Sequence, residues 1–227
     1  AQALDLGYAR VQFTPDLMPS DVSGHAVYDP KTESFRIRRG PVFTNLLLAD
    51  EINRAPAKTQ SALLEVMQEG QVTIEGKPHE LSPPFLAMAT QNPVEQEGTY
   101  PLPEAQLDRF LFKLAIGYPD AAEEKRIVAA HGGLFTKIDA ASFGVEPVTN
   151  AEGIAAAIDT VSKVTLVEEI VGYIVDIVRA TRESPDLESG ASPRAASLLA
   201  RAACARAALH GRDYTIPDDV KLLAPSV

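Results

Sequence analysis

Two adjacent carboxylates, Asp50 and Glu51, directly follow the apolar run Leu46-Leu47-Leu48-Ala49. This arrangement suits magnesium-dependent nucleotide hydrolysis, because the first carboxylate can hold the hydrated metal that bridges the phosphates. The second carboxylate can then orient and polarise the attacking water. A solvated strand end carries the same pattern, so Asp50 and Glu51 alone support the two interpretations about equally.

Three further polar residues could take part in the same chemistry. Asn92 follows the next apolar run, where its amide could hydrogen-bond the attacking water and the terminal phosphate, although an Asn-Pro pair also starts turns. Arg109 could reach the phosphate of a neighbouring subunit; a salt bridge with Asp108 or Glu104 is the alternative. Arg194 lies in the first turn of a predicted helix, where a cation opposes the helix dipole by ~0.3–1 kcal/mol and a nearby anion would explain its presence.

Short apolar runs predict the scaffold that brings these residues together. Runs of this kind, bounded by polar residues, are typical of strands in a parallel sheet. We predict strands at 10–13, 46–49, 85–90 and 111–116, hairpins at 26–37 and 71–81, and a helix over 57–69 that ends at Gly70. The fold class is therefore α/β with a parallel sheet, whose ligand crevice lies beyond the carboxyl ends of the strands. Asp50, Glu51 and Asn92 would all stand at that edge.

Beyond Pro119 the sequence pattern changes to helices alone. The predicted helices cover 121–130, 151–159, 166–182, 193–209 and a last segment from residue 217. Thr165 and Glu168 form a capping-box pattern, and an apolar stripe runs through the helix that follows. Ser192-Pro193 marks the start of the helix that carries Arg194. We therefore predict a core of residues 1–118 and a smaller all-α domain of residues 119–227.

The amino-acid composition narrows the classes of binding partner and the cellular location that can be expected. The 227 residues are 45% apolar and carry a formal net charge of −10, which disfavours tight binding to nucleic acid or anionic lipid. The single cysteine, Cys204, lies in an alanine-rich helical run and is interpreted as a core residue, so no disulfide framework exists. We see no apolar run of ~20 residues and no signal-peptide pattern, which predicts a cytoplasmic protein without a membrane span.

Four segments give the chain a resemblance to a known family. They read LLLADEINRA at 46–55, ATQNP at 89–93, EQEGTYPLPEAQLDRF at 95–110 and SPR at 192–194. Together they resemble the MoxR family of AAA+ ATPases, and the match also includes QFTPDL at 12–17. The third segment is long enough to be family-specific, whereas the first alone would indicate only a nucleotide hydrolase.

The resemblance implies a role for each candidate residue. Asp50, as metal ligand, and Glu51, as catalytic carboxylate, would be the Walker B pair that acts on ATP and Mg²⁺. Asn92 would be the first sensor, Arg109 the arginine finger and Arg194 the second sensor. The family also implies a homo-oligomeric ring, expected to be a hexamer, that remodels or matures protein or metalloenzyme complexes beside a von Willebrand factor A domain partner. The two hairpins would be insertions typical of this clade, and residues 119–227 the lid domain.

One family motif is not found in this sequence. Family members carry GxxxxGK followed by Ser or Thr upstream of the position that matches Ala1, and no such run occurs here. Because the downstream site residues are intact, we expect truncation or unsupplied sequence instead of divergence. The core as given would then be incomplete at its amino end and inactive alone, whereas the complete protein is a Mg-dependent ATPase. The alternatives are a non-catalytic ring-assembly module and a nucleic-acid-linked AAA+ relative.

Overall fold

The computed structural model describes residues 1–92, 99–132 and 144–227. Within these ranges the strands are β1 (Tyr8–Gln12), β2 (Gly24–Asp29), β3 (Ser34–Arg39), β4 (Leu46–Asp50), β5 (Gln71–Ile74), β6 (Lys77–Glu80) and β7 (Leu86–Ala89). The α-helices are α1 (Pro19–Ser23), α2 (Ala57–Glu69), α3 (Glu104–Leu107), α4 (Ala121–His131), α5 (Ala151–Ser162), α6 (Glu168–Glu183), α7 (Pro193–Leu209) and α8 (Pro217–Leu223). Short 3-10 turns lie at Gln2–Leu4, Ile52–Arg54 and Ala224–Ser226.

A parallel sheet in the order β1-β4-β7 forms the centre of the amino-terminal part. Its middle strand is the apolar run of β4, where Leu47 and Ala49 are fully buried. The register pairs Gln12 with Asp50 and Ala49 with Ala89, so the three carboxyl ends meet at one edge. This arrangement confirms the predicted α/β class and three of the four predicted strands.

The predicted strand at 111–116 is wrong. This segment has no regular secondary structure and pairs with no described strand, and its side chains are exposed, up to 96% for Ile116. Apolar composition favours burial, but a strand also needs a neighbour for its N–H and C=O groups. Among the described residues, the backbone of this segment makes one hydrogen bond, from Lys113 N to Ser226 O at 2.7 Å, and that bond lies outside the sheet.

Both predicted hairpins are confirmed as antiparallel pairs, β2 with β3 and β5 with β6. The β2–β3 hairpin projects from the core, and all six residues of β3 are exposed. Its base requires glycine at residue 24, where φ is +93° and a Cβ would lie 2.3 Å from the carbonyl oxygen of Arg38. The two strands therefore leave the core through a narrow, fixed junction.

Helix α2 has the predicted bounds and ends at Gly70 in the left-handed conformation, with φ +62°. Leu63, Leu64 and Val66 turn toward the sheet and join one core cluster with Phe13 and Leu47. Two polar residues of the same helix, Thr59 and Gln60, are also buried. Buried polar side chains require hydrogen-bond partners, so this helix makes specific hydrogen bonds to neighbouring segments in addition to its apolar packing.

The carboxyl-terminal part contains a second core cluster, built by α6, α7 and α8. Its buried members are Ile170, Ile174, Leu199, Ala203 and Val220. The alanines of α7 let the neighbouring helices approach closely, and Cys204 is half-buried on this helix, where burial raises the pKa of its thiol. The boundary between residues 118 and 119 stays a prediction. No helix among the described residues is long and apolar enough to cross a membrane.

The predicted capping box at Thr165 is wrong. Helix α6 begins at Glu168 with Val167 at its N-cap, so Thr165 lies outside the helix. The backbone of Thr165 instead bonds the segment before α8, with Thr165 N donating to Asp213 O at 2.7 Å and Thr215 N donating to Thr165 O at 3.1 Å. These tertiary bonds outweigh a local cap, which is worth about 1 kcal/mol.

A buried carboxylate organises the end of this helical cluster. Asp219 is 1% exposed and accepts two hydrogen bonds from Arg212, each 2.7 Å long, and one from Ile216 N at 3.0 Å. The Arg212 guanidinium, followed by the Ile216 amide, lowers the pKa of Asp219 against the opposing effect of burial. Asp219 therefore stays ionised in the folded protein at pH values where the unfolded chain begins to take up protons.

We predict that Asp219→Ala lowers the free energy of unfolding by about 2–3 kcal/mol at pH 7, because Arg212 loses its charged partner. The lowered pKa stabilises the fold above the unfolded-state value of about 3.9, and this contribution is lost as pH falls through the folded-state value. The difference between wild type and variant should therefore shrink in acid. Urea denaturation at pH 7 and below pH 4 measures both effects.

The neighbouring Asp218 supplies the control, because it is exposed on the same helical turn. Asp218→Ala should change the free energy of unfolding by no more than about 0.5 kcal/mol. Equal losses in the two variants would contradict the role assigned to the buried ion pair.

Candidate functional site

Backbone hydrogen bonds hold Asp50 and Glu51 at one edge of the sheet. Phe13 N donates to Asp50 O at 2.8 Å, and Thr90 N donates to Ala49 O at 2.9 Å. Beyond the strand end, Ile52 N donates to Thr90 O at 3.0 Å. The chain that leaves β4 therefore stays in register with the chain that leaves β7, and both carry polar side chains.

Two strands supply the partners of the Asp50 carboxylate. Its Oδ1 accepts a 2.5 Å hydrogen bond from the Thr90 hydroxyl, which follows β7. Its Oδ2 accepts from Arg10 on β1, through Nε at 3.1 Å and through the neighbouring guanidinium nitrogen. The Thr90 hydroxyl, then the Arg10 guanidinium, lowers the pKa of Asp50. The carboxylate is therefore anionic at neutral pH, with one oxygen on each partner.

Glu51 points to different partners although it is the next residue. Its backbone is left-handed, with φ +54°, where the chain turns out of β4 into the 3-10 turn at Ile52–Arg54. Its Oε2 accepts from Gln12 Nε2 at 2.7 Å and from Arg54 at 3.2 Å. The Thr90 hydroxyl fixes the same turn by accepting from Glu51 N at 2.9 Å. The turn thus separates the two adjacent carboxylates.

The backbone of Asn92 lies beside the same edge. Its backbone oxygen accepts a 3.3 Å hydrogen bond from Asn53 Nδ2, and Asn53 is itself buried in the turn that follows Glu51. Asn92 is half-buried, and residues 93–98, which follow it, lie outside the described residues. The structure therefore places Asn92 beside the turn that presents the carboxylates.

The segments that carry the two predicted arginines meet each other. Asp108 accepts a 2.6 Å hydrogen bond from the Ser192 hydroxyl, and Ser192 also caps α7 by accepting from Arg194 N and Ala195 N. Within residues 1–92, 99–132 and 144–227, neither the Arg109 nor the Arg194 guanidinium has a hydrogen bond or ion pair to another side chain. The alternative salt bridge of Arg109 to Asp108 or Glu104 is therefore not formed. The structure joins these two arginine segments and gives no contact between them and Asp50.

Three contacts at the carboxylates were missed from sequence. Arg10 and Gln12 alternate along β1, but only the sheet register reveals that they face Asp50 and Glu51. Thr90 could have been found, because a hydroxyl at the end of a strand beside a carboxylate-ending strand can bond its neighbour. Together with Asp50 and Glu51, these residues provide two carboxylates, a hydroxyl, an amide and a cation at one edge, a set that can hold a metal and a phosphorylated ligand.

Two family models cover the chain in sequence order. A model of the ATPase family associated with various cellular activities (AAA) matches residues 1–112, which contain the sheet and Asp50, Glu51, Asn92 and Arg109. A model of the AAA lid domain matches residues 179–227, which contain Arg194.

Several relatives align along almost the whole chain. The uncharacterised protein YeaC of Bacillus subtilis is 51% identical over 225 residues, which cover 99% of this chain and 69% of YeaC. Chaperone MoxR1 of Mycobacterium tuberculosis is 45% identical over 229 residues, covering 97% of this chain and 59% of MoxR1. Protein MoxR of Paracoccus denitrificans is 32% identical, covering 99% of this chain and 72% of that protein.

A solved structure gives the same fold. The crystal structure of a Cytophaga hutchinsonii protein assigned to the ATPases superposes with a TM-score of 0.86 at 42% identity, covering 100% of this chain and 70% of that one. The resemblance read from the four sequence segments is confirmed by these matches. This chain belongs to the MoxR family of AAA+ ATPases.

Proposed function

We propose that the protein is a ring-forming AAA+ ATPase that uses hydrolysis to remodel or mature protein complexes. One observation carries the hydrolytic part of this proposal. Asp50 and Glu51 are adjacent in sequence but bind separate partners, Asp50 on Thr90 and Arg10, Glu51 on Gln12 and Arg54. Separate positions are what two carboxylates need if one holds a metal and the other acts on water.

The residues at Asp50 fit a magnesium ion. Mg²⁺ prefers hard oxygen donors and keeps several waters, so one carboxylate plus nucleotide phosphates is a usual protein contribution. Asp50 has a lowered pKa and lies beside the Thr90 hydroxyl, which agrees with this preference. When bound with ATP, magnesium would neutralise charge that develops on the phosphates. Arg10 occupies Asp50 Oδ2 in this structure, so we propose that the guanidinium yields this oxygen when the metal binds.

We assign Glu51 the task of orienting the attacking water and Asn92 that of hydrogen-bonding it. Gln12 and Arg54 fix the direction of the Glu51 carboxylate. A preorganised carboxylate does not have to be reoriented during the reaction, which is the main advantage of such a site. The Asn92 amide adds a neutral donor and acceptor that leaves the charge of Glu51 unchanged.

We assign Arg109 and Arg194 to the phosphates of bound ATP, Arg109 on the neighbouring subunit. Their segments are joined through Asp108 and Ser192, and neither guanidinium has a side-chain partner in the part of the chain described. Arg194 is exposed and Arg109 is half-buried, so both guanidinium groups remain accessible to phosphate oxygens, which a guanidinium can bind through two parallel hydrogen bonds. This arrangement requires a ring, and the family resemblance favours six subunits.

The remaining assignments depend on the named relatives. One relative is named Chaperone MoxR1, which supports a protein client. We propose a partner with a von Willebrand factor A domain and a cytoplasmic location, as the family resemblance implies. The net charge of −10 favours a protein client over nucleic acid. We also propose that residues 1–227 alone bind ATP weakly, because they contain no GxxxxGK run to surround the phosphates.

The two carboxylates should fail in different ways when they are replaced in the full-length protein. Glu51→Gln should retain ATP binding and lose turnover by at least ~100-fold, because the amide fills the same space but cannot act as a base. Asp50→Asn should instead raise the magnesium concentration needed for half-maximal activity. Steady-state hydrolysis, measured with ATP and Mg²⁺ titrations, separates the two effects.

Glu75 is the matched control for Glu51. It is also a glutamate with positive φ, at +50°, but it lies exposed in the turn of the β5–β6 hairpin. Glu75→Gln should hydrolyse ATP like wild type. Wild-type turnover in Glu51→Gln would refute the assignment of the catalytic carboxylate.

Thr90 offers a test that needs no nucleotide. Thr90→Val removes the hydroxyl that donates to Asp50, so the pKa of Asp50 should rise, while Arg10 still holds it below its usual range. Thr90→Ser keeps the hydroxyl and should leave the pKa of Asp50 near that of wild type. Carboxyl-carbon NMR titration of residues 1–227 measures both values. An unchanged pKa in Thr90→Val would show that the hydrogen bond is not the main cause.

Mixed rings should reveal whether Arg109 acts between subunits. Arg109→Ala should lower hydrolysis by ~10³–10⁵-fold and spare nucleotide binding, since a finger stabilises charge only in the transition state. When Arg109→Ala subunits are mixed with Glu51→Gln subunits, some interfaces join an intact Glu51 to an intact Arg109. Part of the activity that both parents lack should then return.

Arg126→Ala is the control for loss of an arginine charge, because Arg126 is exposed on α4 and pairs only weakly with Glu123 at 3.4 Å. It should hydrolyse ATP normally. If subunits co-assemble and no mixing ratio restores hydrolysis, the assignment of Arg109 to the neighbouring subunit is wrong.

A further inference from the structure

Gln60 is a buried side chain whose hydrogen bonds lead away from its own helix. It lies in α2, is 1% exposed, and its Nε2 donates to three backbone carbonyls: Ile52 O at 3.2 Å, Ala55 O at 3.1 Å and Tyr100 O at 2.9 Å. An amide nitrogen carries only two hydrogens, so these contacts share its full donor capacity. Packing alone does not explain why an apolar residue is not used here.

The three carbonyls belong to two segments of the candidate site. Ile52 and Ala55 bound the turn that follows Glu51, whereas Tyr100 lies in the segment that leads toward Arg109. Tyr100 N also donates to Asn53 O at 2.6 Å. Both backbone groups of residue 100 are therefore tied to this turn, one directly and one through Gln60.

The segment beyond Tyr100 connects the Glu51 turn to the chain that carries Arg109 and to the start of α7. Leu102 is buried in the core cluster, α3 follows, and Asp108 then bonds Ser192 beside Arg194. In the other direction, Asn53 donates to the backbone oxygen of Asn92. Gln60 thus lies where the chain segments of the carboxylates, the first sensor and the arginine finger converge.

We propose that Gln60 is a positioning residue that fixes the Glu51 turn relative to the segment that carries Arg109. Its side chain is buried and acts through its hydrogen bonds to backbone carbonyls. Displacements of about 1 Å at a reacting group can cost ~100-fold in rate, so a clamp between these segments affects turnover more than binding. This inference rests on the proposed ATPase function for its kinetic consequence, whereas the clamp itself can be tested without nucleotide.

Thr59 provides a matched control. It is the preceding residue of α2, is also 1% exposed, and its hydroxyl donates to a backbone carbonyl, Leu17 O, at 2.6 Å. Leu17 lies outside the segments that carry the site residues. Thr59→Val and Gln60→Met each remove one buried side-chain donor at nearly constant volume, so both variants should lower the thermal midpoint.

The first measurement is amide hydrogen exchange in the unliganded 227-residue chain. Exchange at Tyr100 should accelerate about tenfold or more in Gln60→Met and stay near wild type in Thr59→Val, because Gln60 bonds Tyr100 and Thr59 bonds Leu17 instead. Unchanged Tyr100 exchange in Gln60→Met would overturn the clamp, whatever the activity of the enzyme. If Gln60→Met does not fold, Gln60→Asn keeps an amide that is one methylene shorter and should show the same effect at smaller size.

The second measurement is steady-state hydrolysis in the full-length protein. Gln60→Met should lower kcat about 10- to 100-fold with KM for ATP changed by less than about twofold, and Thr59→Val should change neither. Equal kcat in the two variants would overturn the positioning role. Absence of hydrolysis in wild type would contradict the proposed function instead, and hydrogen exchange at Tyr100 would still decide whether Gln60 holds the two segments together.

Discussion

Parallel pairing of β4 with a strand on each side determines where the site residues at the edge of the sheet lie. The carboxyl ends of parallel strands point the same way, so β1, β4 and β7 deliver Gln12, Asp50 and Thr90 to one edge without any further device. A shift of one residue in this register would turn each side chain to the opposite face of the sheet. The contacts of Asp50 with Arg10 and Thr90 therefore depend on backbone hydrogen bonds that are made several residues earlier.

Chemistry at this edge also requires that two neighbouring carboxylates behave differently. Adjacent residues of a strand point to opposite faces, but Asp50 is the last residue of β4 and Glu51 already has left-handed geometry. The cost of that backbone conformation, of order 1 kcal/mol or more for a residue other than glycine, is offset by bonds at Thr90, Gln12 and Arg54. Strain of this kind persists only where the surroundings over-determine the geometry, as they do here.

Sequence reasoning succeeded where local chemistry decides the structure. The Leu46–Ala49 run, the stop of α2 at Gly70 and the cap of α7 at Ser192 each depend on residues within a few positions. It failed where a distant segment decides. Residues 111–116 have strand composition but no neighbouring strand in the described sheet, and Thr165 has a capping pattern but uses its backbone to bond Asp213 and Thr215. The contacts of Arg10 and Gln12 with the two carboxylates were missed for the same reason. The register between two strands depends on both of them and cannot be deduced from the sequence of either strand alone.

Buried polar groups then connect the edge of the sheet to the rest of the molecule. Apolar packing is non-directional and tolerates small displacements, whereas a buried donor that loses its acceptor costs its full desolvation penalty. Buried or half-buried hydrogen bonds therefore fix positions that apolar packing alone leaves free to shift. Three such bonds run from Gln60 to Tyr100, from Asn53 to Asn92 and from Ser192 to Asp108. Because the Ser192 hydroxyl at the start of α7 donates to Asp108, any movement of α7 relative to the segment that carries Arg109 must either preserve this bond or break it. The Asp108–Ser192 bond therefore couples the position of the start of α7 directly to the residue that precedes Arg109.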